Sequence, residues 1–105
     1  ELLASGGPQG REQAAGTLKA IAFGSEHQRA VVEAGALPLL VDAVRLGELG
    51  VPEQAAGAVA YLAASREHRE AVVAAAALPA LLALLGTGTL RAKEHAFAAL
   101  RYLVL

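Results

Sequence analysis

The chain has 105 residues, 55% hydrophobic and 18% charged, with a net charge of −1 and no cysteine. That length bounds it at one domain, and so much apolar content excludes a disordered profile. Nine Lys and Arg lie scattered singly, leaving no basic stripe for nucleic acid, and the missing cysteine removes disulfides, thiol catalysis and Cys-ligated zinc.

Shifted by 41 residues, the chain matches itself: residues 12–52 and 53–93 share 18 identities in 41 positions. A period of that length signals a helical solenoid, in which each copy hides its apolar flank against the next. Each period reads as three helices, and the chain order begins with the third of them. This longest helix is predicted over about residues 9–23, with Ala15, Leu18 and Ala22 facing inward. Such small residues let neighbouring helix axes approach to about 8–10 Å. A short first helix starts at Ser25, where Ser25-Glu26-His27-Gln28 has the spacing of a capping box. The hydroxyl would cap one orphan N–H and Gln28 would reach back to another. It carries Val31 and Val32 and stops at Gly35, which takes the left-handed conformation without a Cβ clash.

The second helix opens with Pro38 in its first turn, where a missing N–H costs nothing. Leu37, Leu40, Val41 and Val44 form its apolar stripe, and Gly47-Glu48-Leu49-Gly50 ends it. The next copy follows the same plan. Its third-helix equivalent spans about 52–64, with Ala56, Val59 and Ala63 inward. Its first helix starts at Ser65 or Arg66, but Ala76 stands where Gly35 stood, which predicts a turn either strained or differently shaped. Pro79 opens the following second helix, whose stripe is Leu78, Leu81, Leu82 and Leu85. Gly86-Thr87-Gly88-Thr89 forms the next turn, and a last helix covers about 91–105. The longest apolar run, residues 71–85, carries Pro79 and is too short for a membrane span.

The segment Gly35-Ala36-Leu37-Pro38-Leu39-Leu40-Val41, preceded by Val31-Val32-Glu33-Ala34, joins a Gly to a Pro-started helix. Together with the Ala-rich Glu53-Gln54-Ala55-Ala56-Gly57-Ala58-Val59-Ala60-Tyr61-Leu62-Ala63, it resembles the armadillo repeat. The resemblance covers the whole chain. It implies an all-α fold, an armadillo-type right-handed α-α superhelix of about two and a half three-helix repeats. Residues 1–23 would be the tail of one repeat, 24–64 a complete one and 65–105 another, nearly complete.

Resemblance further implies that the third helices line a concave groove for a peptide or helix of a partner protein. The family's ligand-gripping Trp position falls on Gly16, Gly57 and Ala98, and its Asn position on Ala20, Tyr61 and Tyr102. The chain has no Trp, so the import-receptor way of reading a basic peptide is not expected. What remains is a groove floor of Gly16, Gly57 and Ala98 with Ala20, Tyr61 and Tyr102 one turn later. Gln13, Gln54 and His95 sit one turn earlier. Tyrosines make good interface anchors, a flat ring with a polar tip; the alternative is that both rings fold down and fill gaps between repeats.

No catalytic, metal or cofactor site is expected. His27 and His68 repeat in register but bring no third ligand with them, and zinc wants a convergent set, so both are read as solvated surface histidines. His95 is read as an exposed groove residue. Ser5, Ser25 and Ser65 lie at helix starts or turns, and Asp42 faces outward. The Gly-Thr-Gly-Thr stretch lacks the following Lys of a phosphate loop. Arginines 29, 66, 69, 91 and 101 are interleaved with glutamates, a mixed solvated face.

The leading functional expectation is therefore a non-catalytic protein–protein interaction scaffold without nucleic-acid or membrane partners. The alternatives are an architectural or oligomerisation segment, or the substrate-recruiting array of a larger protein such as a ubiquitin ligase. Absence of a secretory leader pattern suggests an intracellular setting, cytoplasmic or nuclear. The raw apolar ends, Glu1-Leu2-Leu3 and Tyr102-Leu103-Val104-Leu105, suggest further repeats on both sides and self-association of the isolated piece.

Overall fold

The computed structural model describes residues 7–45 and 50–104, the side chains of Pro8 and Ser25 excepted. Its helices are α1 (Pro8–Phe23), α2 (Ser25–Glu33), α3 (Ala36–Arg45), α4 (Val51–Ala64), a 3-10 turn (Arg66–His68), α5 (Arg69–Ala74), α6 (Ala77–Thr87) and α7 (Leu90–Val104). Among the described residues there is no strand, and no single helix is long and apolar enough to cross a membrane.

The three long helices lie side by side, α1 along α4 and α4 along α7. Behind them α3 packs on α4, α6 packs on α7, and α3 lies against α6. The result is two layers of helices, with the core between the layers and between successive copies. Small residues carry this arrangement: Ala15, Ala22, Ala55, Ala56, Ala58, Ala63, Ala92, Ala96 and Ala99 are all essentially inaccessible to solvent. A methyl group at each crossing lets backbones approach, and Leu40, Leu62, Leu81, Val51, Val59 and Val72 fill what is left. Helix α4 is buried along most of its length because it has a long helix on either side.

The second-helix stripe is only partly hidden in its second copy. Leu37, Leu40, Val41 and Val44 are buried, as is Leu81, and Leu78 and Leu85 are half-buried. Leu82 is 58% exposed although its counterpart Val41 is 3% exposed. Val41 lies on the helix that α6 covers; no described helix covers α6 in the same way. Phe97 is 60% exposed, in the register of the fully buried Ala15 and Ala56, for the same reason.

The corner between first and second helices repeats, strain included. Gly35 adopts φ +80 and Ala76 φ 65. The amides match as well: Gly35 N–H donates to Val32 O at 3.1 Å and Ala76 N–H to Val73 O at 3.0 Å. Ala76 thus takes the left-handed conformation rather than reshaping the turn, and α5 with its preceding 3-10 turn meets α6 at 83°. A left-handed non-glycine residue costs about 1–2 kcal/mol. Substituting Ala76→Gly relieves that cost but adds freedom to the unfolded chain, so stability rises by a net of about 0.5–1 kcal/mol. Gly35→Ala loses a similar amount, both read from urea unfolding midpoints.

Several local expectations are corrected. The second-copy first helix is broken into the 3-10 turn and α5 rather than continuous. Helix α6 runs through Gly86 to Thr87, and only Gly88 and Thr89 form the turn. A Cβ on Gly88 would stand 2.9 Å from Leu84 O, so glycine lets the two helix ends close up. Thr89 then caps α7, its hydroxyl oxygen accepting from Ala92 N–H at 3.2 Å. Residues 1–6, 46–49 and 105 lie outside the described residues, and with them the expectations for Glu1-Leu2-Leu3, Gly47-Glu48-Leu49 and Leu105.

Gln28 does not close a capping box; the hydroxyl of Ser25 is outside the described atoms. Its side chain turns inward, and its amide nitrogen donates to Ala22 O at 2.8 Å and Tyr61 O at 3.2 Å. One copy later Arg69 does the equivalent work: its Nε donates to Ala63 O at 2.8 Å and its Nη2 to Ala64 O at 3.2 Å. The C-terminal carbonyls of a helix lack internal partners, so a donor from the next helix is needed at each of these junctions. In the second, a cation also meets the negative end of the α4 dipole.

Candidate functional site

The exposed face of α1, α4 and α7 carries the residues singled out from the sequence, in three rows. Gln13, Gln54 and His95 form the first row, Gly16, Gly57 and Ala98 the second, and Ala20, Tyr61 and Tyr102 the third. Equal spacing along helices that lie side by side aligns the rows across the array.

The glycine row is not a bare floor. Each glycine receives the first-row side chain of the helix that follows. Gln54 Cδ and Oε1 lie 3.7 Å from where a Gly16 Cβ would stand. In the same relation one copy on, His95 Nε2 lies 3.3 Å from the corresponding point on Gly57. The stem of Lys19 crosses the same glycine, with Cδ at 2.5 Å and Cγ at 3.2 Å from that point. Glycine at 57 is thus what lets an α1 side chain lie flat over α4.

His95 is half-buried rather than exposed, and its Nε2 is closed to solvent without a hydrogen-bond partner. Burial first, then the charge of Lys19, push its pKa below the ordinary histidine value. Glu53 and Glu94 pull the other way, and Arg91 adds to the lowering. The imidazole is therefore neutral at pH 7.

The tyrosines are engaged within the protein. Tyr61, half-buried, meets Phe23 edge-on, with ring centroids 5.2 Å apart and planes at 70°. Tyr102 is 38% exposed, and the Arg69 guanidinium carbon lies 5.6 Å from its ring centre. Aromatic edge contacts and cation–π contacts both hold a ring in place while leaving its rim accessible.

At the α1 end, Gln13, Gly16 and Ala20 line a shallow concavity together with Thr17, Ile21 and His27. The sequence reading missed Thr17 and Ile21, although Gln13, Thr17 and Ile21 succeed one another at the four-residue spacing of one helix face. Lys19 and Phe23 were missed as well. Both point toward α4, and only the placement of Gly57 and Tyr61 reveals them.

His27 and His68 part company. The His27 side chain is 62% exposed, as expected. The His68 side chain is only 7% exposed, with Nε2 4.0 Å from Glu67 Oε1, so the solvated reading fails for it. His68 lies between two copies of the repeat, whereas His27 has no described copy before it. Arg29, Arg66, Arg91 and Arg101 are exposed as expected, but Arg69 departs from a solvated face: it is half-buried and bonds the last carbonyls of α4. Arg29 bonds Glu67 through Nε at 3.1 Å, holding that carboxyl below its usual range, and Arg91 Nε lies 3.8 Å from Glu53 Oε1. Among the described residues no three His, Asp or Glu converge as a metal-binding group.

A two-layered stack of three-helix units with its long helices side by side defines an α-solenoid. Solved structures narrow the class. A designed armadillo repeat protein, YIII(Dq)4CqI, superposes with TM-score 0.90 at 31% identity, over 97% of this chain and 44% of its own. Computationally designed armadillo repeat proteins for modular peptide recognition give TM-score 0.89 at 31% identity, over 96% of this chain and 43% of theirs. A third, YIII(Dq.V1)4CPAF in complex with peptide (KR)4, gives 0.88 at 30% identity, over 97% and 44%. The protein has the armadillo-type repeat fold. It spans less than half the length of these structures. No protein-family model and no curated protein sequence matches the chain.

Proposed function

We propose that this protein is a non-enzymatic binding scaffold whose α1–α4–α7 face holds an extended peptide segment of a partner. The observation that carries the reading is the alignment of the three rows across parallel-stacked helices. It offers a ligand strand the amides of Gln13 and Gln54, the imidazole of His95 and the phenols of Tyr61 and Tyr102, each row supplying one residue per repeat. Peptide recognition by structural neighbours of the same fold supports it. Pre-formed rows on rigid helices lower the ordering cost of binding, because only the peptide has to be immobilised.

Selection from a phage-displayed random dodecapeptide library tests the reading. Enriched peptides are expected to bind the protein and to lose about tenfold or more in affinity with Tyr61→Ala or Tyr102→Ala, an interface-anchor effect. Affinities are compared well below each variant's melting temperature, because Tyr61 also packs on Phe23. Enriched peptides that bind both variants as tightly as the parent would place the ligand elsewhere and defeat the proposal.

A further inference from the structure

Gly57, Lys19 and His95 form a cluster that packing alone does not account for. A buried imidazole nitrogen with no partner is a cost that folded proteins avoid, yet His95 Nε2 is left so. It shares the space over Gly57 with the stem of Lys19, a flexible chain draped over the glycine: Nε2 lies 3.3 Å and Lys19 Cδ 2.5 Å from where a Cβ would stand. Lys19 forms no ion pair among the described residues. The charged groups around His95 are Lys19 on α1, Glu53 on α4, and Arg91 and Glu94 near it on α7. Glu53 is engaged elsewhere, accepting from the Thr89 hydroxyl at 3.3 Å and lying 3.8 Å from Arg91 Nε.

We propose that Lys19 and His95 form a subsite for a carboxylate, the side chain of an Asp or Glu in the bound peptide. This rests on the groove reading above and names the ligand chemistry at one of its positions. The carboxylate accepts from the Lys19 ammonium and, once Nε2 is uncovered, from the Nε2–H of His95. Charge complementarity selects this occupant. An unpaired ammonium and an orphaned imidazole both gain from a negative charge, whereas a ligand Lys or Arg would be repelled by Lys19. The preference is opposite to that of the neighbour holding (KR)4.

A pH dependence follows, with a defined sign. In the free protein, burial and Lys19 hold the His95 pKa low. A bound carboxylate favours the imidazolium and raises it. Binding therefore takes up a proton and tightens as pH falls from the bound-state value toward the free-state value. Each unit of difference between the two corresponds to about tenfold in affinity.

The library selection is run at about pH 7.5 and about pH 5.5, the range over which a histidine titrates. Enriched peptides are expected to share an Asp or Glu at one position and to bind about tenfold tighter at the lower pH. Lys19→Glu is expected to weaken them about tenfold or more, and His95→Gln to abolish the pH dependence. Peptides that require Tyr61 or Tyr102 but carry no shared carboxylate, or that ignore Lys19→Glu, overturn the subsite and leave the groove standing. Carboxylate peptides whose affinity does not change with pH overturn the His95 part. Failure to enrich any tyrosine-dependent peptide overturns both proposals together.

Discussion

Leu62→Ala lowers the free energy of unfolding by about 3 kcal/mol, the cost of removing a fully buried leucine and leaving a cavity. Leu62 has no accessible surface, in the last turn of a helix flanked on both sides. The same substitution class at Ile21, in the same register one copy earlier and 38% exposed, costs only about 1 kcal/mol, since much of its surface is already in water. Urea titrations of the two variants give the comparison directly. Because each unit leans only on its neighbours, losing the central interface uncouples the ends. The Leu62→Ala transition is accordingly expected to broaden as well as shift. Equal losses at the two sites would mean that Leu62 does not sit between copies.

Gln28→Ala costs about 2 kcal/mol, because it strips the donor from two carbonyls and leaves them in a closed space. Ala22 O and Tyr61 O sit on consecutive long helices, so one side chain ties α1 to α4. Some of the loss is offset, since Gln28 Oε1 is itself buried and unbonded. Arg69→Ala, at the matching junction, is expected to cost less, about 1 kcal/mol. Arg69 is half-buried and Ala64 is exposed, so water can replace the donor there. Thermal melts of the two variants, with Gln28→Glu as a size-matched control lacking the donor, separate the hydrogen bond from packing. If Gln28→Ala melted with the parent, the clamp would contribute nothing.

Much of the fold was legible because a repeat announces itself twice. Gly35-x-x-Pro38 and Ala36-Leu37-Pro38 marked the helix corner, and Ala-rich stretches marked where helices come close. Matching hydrophobic spacing at Leu37 and Leu78 placed both on one inner face. These are local signals, carried by backbone conformation and side-chain size. The groove rows were legible for the same reason, since a position on one helix face recurs at the repeat period.

What failed to show in the sequence depends on which copy has a neighbour. His27 and His68 occupy one register, yet one is in solvent and the other is covered. Val41 and Leu82 diverge in the same way. Gln28 looked like a local cap and is a long-range donor, because the unpaired carbonyls it answers belong to helices 6 and 33 residues away in sequence.

By itself, then, the amino-acid order determined helix positions, the repeat period and the faces those helices bury, all set by short-range sterics and hydrophobic spacing. Tertiary structure alone decided that Lys19 and His95 meet over Gly57, that Tyr61 rests on Phe23, and that Gln28 answers carbonyls of two helices. Those outcomes arise from contacts between separate helices, whose distances and side-chain directions no local pattern encodes.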